Sequence, residues 1–528
     1  MRRPEAAPAG HAAGWERVLA LALTVSLGIV TLAYAWLLAR NSLDRVSSEW
    51  ALTGVEPMAA IGAMRVARGE ALYRDFRHGR PVVPLPYGVL AYEAPGVVAR
   101  ALDLSDPVPI LRLGRLQALA AALASMALLA LLARQRGVPW RWAWLAAAPL
   151  LWFARMDEWF AKFTPDTTAL MLSLAGWAIL GPPTETRPRP PWPRAALAVA
   201  LWTAGYHLKP TLLVGPVAFA LEHVLGSPAR RRAIVSVGLI AAGTAAAVVL
   251  TSLAVNIATR GLWSLNAISA LSAAALSPRN IIECFGVHPS QGWTAPLDHL
   301  LWQNTFLHLL IPLWAALLLR RTPLAAAYFV ALLLELVTMA KQGSGTNYLL
   351  GSTALFCVAL AVSLRRGLRP SLFVLPVLLA LLLWHLPKAG LVRYEAAVPK
   401  PKDLQLVDAA RRGLPPGRVL CLDPFYALTR GIPFLFADGY HAALLSAAGE
   451  VDFSKEARTL HARAYDLVIS NRLQSVSVAG LTYHDNPFAP IPIIEALADG
   501  YVPTAIGPWL VLWRPTLRKT PAAPTGGG

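Results

Sequence analysis

Eight ionisable side chains in this sequence invite a chemical reading: Glu49, Glu56, Asp157, Glu158, Asp166, His207, Lys209 and Lys341. A carboxylate can take the proton of a hydroxyl as that hydroxyl attacks, and an ammonium group can hold the charge of a departing phosphate. Glu56 and Asp166 are the candidates for the first role, Lys209 and Lys341 for the second. Glu49, Asp157, Glu158 and His207 are further candidates. Taken singly, each has a plainer reading. A loop carboxylate is usually solvated, and a lysine at a helix end often snorkels. The case rests on the set, and the set depends on the elements that position it.

Those elements are membrane spans. Of 528 residues, 56% are hydrophobic and only 15% charged, and the mean hydropathy is +0.48. Soluble domains carry about 25% charged residues, so a soluble enzyme is excluded, and disorder with it. The uncharged run Val18 to Leu38 is long enough to cross a bilayer. Ala33-Tyr34-Ala35 resembles a signal-peptidase site, but the run is long for a signal sequence and many more follow. Further runs begin near Leu113, Trp142, Thr167, Ala195, Thr211, Ile234, Trp302, Pro323, Leu349 and Ser371, giving about eleven spans. The expected fold is thus an all-α polytopic membrane domain with a small α/β domain at its C-terminal end.

The net charge of +18 is explained by arginines between spans. Every second connector is arginine-rich: Arg134, Arg136 and Arg141; Arg187, Arg189 and Arg194; Arg230, Arg231 and Arg232; Arg320 and Arg321; Arg365, Arg366 and Arg369. With Arg2, Arg3 and Arg17 they all fall on one side, the positive-inside pattern. Nucleic-acid binding is not needed to account for the charge. The expected location is the cytoplasmic membrane, with the N-terminus cytoplasmic and the opposite face outside.

Outside lie a first loop (41–111), the stretch Arg155 to Asp166, a loop from about 258 to 301, and everything after Pro387. In the first loop, Pro57 to Arg68 and Tyr87 to Leu102 read as amphipathic helices lying on the membrane surface. Domain boundaries are expected at 1–386 for the membrane domain and 387–528 for the α/β domain with its tail. In the latter, Asp403 to Arg412 reads as a helix. Arg418 to Leu422, Tyr465 to Ser470 and Trp509 to Trp513 read as buried strands. Cys284, Cys357 and Cys421 form no zinc-like cluster.

Four short motifs on the outer face complete the reading. The first loop carries Glu56-Pro57-Met58, Gly69-Glu70-Ala71-Leu72-Tyr73 and Pro84-Leu85-Pro86-Tyr87. Thr164-Pro165-Asp166 opens a span. Lys209-Pro210-Thr211 and Lys341-Gln342-Gly343-Ser344-Gly345-Thr346-Asn347-Tyr348 follow in order. Together they resemble the GT-C superfamily of integral-membrane glycosyltransferases, in particular bacterial relatives of protein O-mannosyltransferases and aminoarabinose transferases.

The resemblance implies transfer of a sugar from a polyprenyl-phosphate donor to a glycan, lipid or protein acceptor outside the membrane. It implies a loop carboxylate as base, which maps to Glu56, although the family usually has Asp there. Asn347 and Tyr348 enter as site candidates on the same ground. A divalent metal is left open, since some members hold one with loop carboxylates and others use none; Asp157, Glu158 and Asp166 would be its ligands here. The competing class is a transporter or flippase of a lipid-linked sugar. It would show internal repeats and charges in mid-span, where Glu335 stands out.

Overall fold

The computed structural model describes residues 14–49, 55–144, 160–183, 190–272, 276–278, 280–281, 322–341, 346–366, 401–471, 489–506 and 510–516. The membrane part contains α1 (Gly14–Ser47), α2 (Val55–Ala67), α3 (Leu90–Ala101), α4 (Pro107–Gln135), α5 (Asp166–Leu180), α6 (Trp192–Tyr206), α7 (Val214–Gly226), α8 (Arg230–Ala258), α9 (Pro323–Met339) and α10 (Leu350–Arg366). The expected spans beginning near Trp302 and Ser371 lie outside the described residues, as does most of the one beginning near Trp142.

Several of these helices turn an apolar face to the surroundings. On α1 the exposed residues are Val18, Leu21, Val25, Ile29, Leu32 and Trp36, a stripe at helical spacing. On α8 they include Ile234, Leu239, Val249, Leu253 and Ile257. Water would penalise such faces and hydrocarbon does not. Both α4 and α8 have 29 residues, about 43 Å of helix, which exceeds the roughly 30 Å hydrocarbon core. The chain is a multi-pass membrane protein.

The bundle has two distinct ends. At one, α4, α5 and α7 terminate together around Glu222. Arg136 Nε donates to Glu222 Oε1 at 2.7 Å and Trp177 Nε1 donates to Oε2 at 3.0 Å. The Arg136 guanidinium lies 4.4 Å over the Trp177 ring, and Gln135 donates to the Ala178 carbonyl at 2.8 Å. α6 runs antiparallel to α5, with Trp202 Nε1 donating to the Ser173 carbonyl at 3.1 Å and Gly205 packing near Ala169. The first turns of α6 and α8 therefore return to this end. The described arginine-rich segments collect here, as the alternation in the sequence predicts.

The other end holds the first loop and the C-terminal domain. α2 departs from expectation. From Glu56 to Val66 it is buried at every position but Arg65, so it is a packed helix and not a surface one. It is enclosed by α3, α4 and the segment before α5, where Ala59, Ala63, Ala99, Ile110, Leu111 and Phe163 form one apolar cluster. Of the two first-loop helices, α3 keeps an exposed apolar edge at Val97 and Val98, continued by Leu102 just past its end.

The C-terminal domain contains α11 (Pro401–Arg411), β1 (Val419–Cys421), α12 (Pro424–Arg430), α13 (Gly439–Ala447), α14 (Ser454–His461), β2 (Leu467–Asn471), α15 (Ile491–Gly500), β3 (Tyr501–Ile506) and β4 (Leu510–Pro515). Its sheet has the order β1-β2-β4-β3, with β1 and β2 parallel and the other pairs antiparallel. Alternation sorts the strands into two cores. Val419, Cys421, Leu467, Ile469 and Leu512 pack with residues of α11 and α12. Leu420, Val468, Val511 and Trp513 pack with residues of α13, α14 and α15. Phe76 and Val82 of the first loop are buried in that second core. The loop is tied in by Val82 N–H donating to the Leu435 carbonyl at 2.8 Å and Ala437 N–H donating to the Val82 carbonyl at 2.9 Å. Arg80 adds a salt bridge to Glu456 at 2.8 Å and lies over the Phe453 ring.

Candidate functional site

At the end opposite the arginines, Pro165 closes a loop and Asp166 opens α5, where the helix dipole favours a carboxylate. Lys209 follows the end of α6, and its ammonium forms a salt bridge with Asp166 Oδ1; both side chains are buried. The same ammonium sits 4.3 Å over the ring of Tyr348, in the short turn Thr346–Leu349 that leads into α10. Three segments far apart in sequence thus meet on one buried cation. The loop bearing Lys209 is held by close backbone packing: a Cβ on Gly88 would collide with the His207 carbonyl.

Tyr87 belongs to the same place. Its phenol is held protonated well above the usual range, first by burial and then by the nearby Asp166, Tyr348 and Asp438. A narrow cleft lies beside it, lined by Tyr87, Gln117, Phe163, Thr164, Pro165 and Leu208 among others.

The sequence alone assigned no chemistry to Asp438, whose segment Asp438-Gly439-Tyr440 reads there only as a strand end of the C-terminal domain. The bridge between Val82 and Phe436 delivers it, and Ala437 packs in one cluster with Leu85, Tyr92, Ala169 and Leu208. Asp438 caps α13, accepting from the Tyr440 N–H at 3.2 Å, and pairs with His441 Nδ1 at 2.5 Å. Burial, Asp438 and Tyr348 also push the Tyr440 phenol up. The signal available in the sequence was the clustering of Asp438, Tyr440 and His441, but nothing local says that this turn folds back on the first loop.

Glu56 is brought to this end, but not as a base facing open space. It has no exposed surface. Arg115 Nε donates to Oε1 at 3.0 Å and Arg115 Nη2 to Oε2 at 2.8 Å, while the Phe163 N–H donates to Oε1 at 2.8 Å. Arg115 also donates to the carbonyls of Arg45 and Ser48. Glu56 therefore clamps α1, α2, α4 and the entry to α5. A carboxylate whose two oxygens both accept from a guanidinium is a poor proton acceptor. Arg115 was legible as a lone charge inside an apolar run, which must find a partner in the bundle.

The remaining candidates are dispersed. Glu49 is exposed and pairs with Arg112 at 3.3 Å. His207 Nε2 lies 2.7 Å from the Thr251 hydroxyl. Lys341 sits beyond α9, where its segment pairs with Leu276, and burial lowers its pKa. Its carbonyl accepts from Asn280 at 2.6 Å. It is thus held by a different segment from the one that carries the Asp166–Lys209 pair. Asp157, Glu158 and the Asn347 side chain lie outside the described residues. Among the described residues no group of three or more His, Cys, Asp or Glu side chains is arranged to hold a metal ion.

No family model and no curated protein sequence matches the chain. Solved structures do. Archaeal oligosaccharyltransferase AglB from Archaeoglobus fulgidus, in complex with an inhibitory peptide and a dolichol-phosphate, is similar over 96% of this chain and 75% of that one. The identity is 12% and the TM-score 0.52. The chain shares the fold of the archaeal enzyme. The apo form of the archaeal enzyme matches at 11% identity and TM-score 0.51, over 95% of this chain and 75% of that one. A looser likeness, TM-score 0.44 at 12% identity, covers 96% of this chain and 99% of ArnT from Cupriavidus metallidurans bound to undecaprenyl phosphate.

Proposed function

We propose that this protein is a membrane glycosyltransferase that moves a sugar from a polyprenyl-phosphate carrier to an acceptor on the face opposite the arginines. The acceptor class is a glycan, lipid or protein. One observation carries the reading: the buried Lys209 ammonium, oriented by Asp166 and Tyr348, in a fold shared with an enzyme solved with a dolichol-phosphate. When the bond from the anomeric carbon to the phosphate breaks, charge develops on the phosphate oxygen. A preoriented cation in a water-poor site stabilises that charge far more than one in water. In this reading Lys209 meets the phosphate, Asp166 fixes Lys209, and Glu56 with Arg115 holds the surrounding helices in register. Lys341 stands as a second cation for the carrier headgroup from the neighbouring segment.

The transporter alternative drew on Glu335. That carboxylate accepts from the Ser352 N–H at 3.0 Å and so satisfies the first turn of α10, which is a structural task. The experiment is to supply the purified protein with a panel of polyprenyl-phosphate sugars and look for release of the free polyprenyl phosphate. In parallel, envelope glycans and lipid-linked sugars are compared by mass spectrometry with and without the gene. Accumulation of one lipid-linked sugar in the deletion identifies the donor. Movement of the lipid across a bilayer with no cleavage of its phosphate bond would establish the transporter instead.

A further inference from the structure

Attack by an acceptor hydroxyl releases a proton that some group at this end must take. Among the described carboxylates at this end, Glu56 is locked by Arg115 and Asp166 is paired with Lys209. Glu70 and Asp75 are bound to Arg74 and Arg77, and Glu49 to Arg112. A carboxylate oxygen that accepts from a guanidinium or ammonium group has that lone-pair direction taken up. Asp438 differs from these five in that its partner is an imidazole rather than an ammonium or guanidinium group.

We infer that the pair Asp438–His441, brought to the site by the C-terminal domain, is the base that activates the acceptor hydroxyl. The inference rests on the glycosyltransferase reading. Asp438 Oδ2 lies 2.5 Å from His441 Nδ1. A carboxylate can only accept, so Nδ1 carries the hydrogen, and in the neutral imidazole Nε2 is the nitrogen left to accept a proton. Asp438 Oδ1 is fixed in turn by the Tyr440 N–H, so the imidazole is oriented through two successive contacts. The turn is placed by the Val82–Phe436 bridge and by Ala437 packing with Leu208, the neighbour of Lys209. Beside it the Tyr440 hydroxyl is sealed from solvent and has no hydrogen-bond partner. A buried phenol in that condition is suited to a hydroxyl-bearing ligand.

The step balances without a co-reactant. The acceptor O–H loses its proton to His441 Nε2. The acceptor oxygen forms a bond to the anomeric carbon, and the bond from that carbon to the phosphate oxygen breaks. The electron pair leaves with the polyprenyl phosphate at Lys209, and the imidazolium formed is stabilised by Asp438. The C-terminal domain thereby contributes a reacting group, and the site is incomplete without it.

The test uses the full-length protein and the donor identified by the transfer assay. His441→Gln is expected to lower kcat by about 10²–10⁴-fold, with donor affinity, measured by competition with free polyprenyl phosphate, unchanged. His441→Gly is expected to recover rate when imidazole is added, whereas His441→Gln is not. Tyr440→Phe is expected to raise the acceptor KM and leave kcat closer to wild type. If wild type transfers sugar and His441→Gln does so within about two-fold of its kcat, the inference is wrong and the transfer reading stands. If wild type transfers none of the donors, the reading beneath it fails instead. A His441→Gly protein that binds donor but gains nothing from imidazole would also overturn the base assignment.

Discussion

The two buried ion pairs at the site end look alike and are expected to answer differently to mutation. Lys209→Met removes the ammonium from the buried Asp166 carboxylate, and breaking a buried pair costs about 3–5 kcal/mol. Adding Asp166→Asn should restore most of that stability, because both charges of the pair are then removed together. It should not restore donor binding, because the cation is still missing. Donor KM and thermal stability measured on both variants separate the two effects; recovery of donor binding in the double variant would remove Lys209 from the phosphate site. Glu56 behaves otherwise. Glu56→Gln leaves Arg115 with a buried, half-satisfied guanidinium, so the protein should lose stability by a similar amount. Glu56→Gln with Arg115→Met should regain stability together with transfer. A fully stable Glu56→Gln protein with no activity would instead return Glu56 to the role of base. Glu49→Gln removes an exposed pair worth at most about 1 kcal/mol and should leave transfer intact.

At the scale of elements, the parts legible in the sequence were those with a period. The spans, the arginine connectors, α11 and strands β1, β2 and β4 all carry runs or alternations. β3 was not found, because Pro503 interrupts it and Val502, Pro503 and Thr504 are exposed; an edge strand tolerates both. α2 was given the wrong surroundings because its sequence shows how apolar it is, not how many elements enclose it. The Asp166–Lys209–Tyr348 group was legible because each residue sits at a helix end of the same parity. Asp438 and His441 were not, since no periodicity places a C-terminal turn against a first loop.

Two element-level outcomes follow from this packing. Gly88→Ala drives a Cβ into the His207 carbonyl. Overpacking of this kind costs about 1–3 kcal/mol, and the displaced loop carries Lys209, so donor affinity should fall while the protein still folds. Unchanged affinity would show that the loop position is not critical. The second concerns Asp423, which accepts from Phe425 and Tyr426 at the start of α12 and whose carboxyl burial pushes up to about 6. Below pH ~4 it is protonated folded or unfolded. Between about 4 and 6 the unfolded chain ionises first, so stability falls as pH rises, by on the order of 2–3 kcal/mol, and is level above that. Asp423→Asn keeps the cap and should flatten this part of the profile, which thermal unfolding from pH 4 to 7 would show; parallel curves for the two proteins would refute it.

For the whole molecule, the contacts constrain topology by parity. α1 starts from the arginine side, since its last residue Ser47 accepts from Arg112 near the first turns of α4, at the site end. α10 runs the opposite way to α9, starting just after the Tyr348 turn and ending at Arg366 on the arginine side. The C-terminal domain is seated at the site end, through Phe425 against Ile110 and Phe163 and through Arg80 with Glu456. The chain must therefore change ends an odd number of times between residues 14 and 401, and eleven crossings meet that condition. Arginine is retained on the cytoplasmic side of bacterial membranes, so the C-terminal domain and the site should both face outward. A reporter active only in the cytoplasm, fused after Gly528, should be silent, and one fused before Met1 should be active. Fusions at Gly137 and Gly181, on the arginine side, should match the N-terminal result. An active C-terminal fusion would mean that the described contacts and the arginine pattern disagree. The site would then have to draw its donor from the cytoplasmic leaflet.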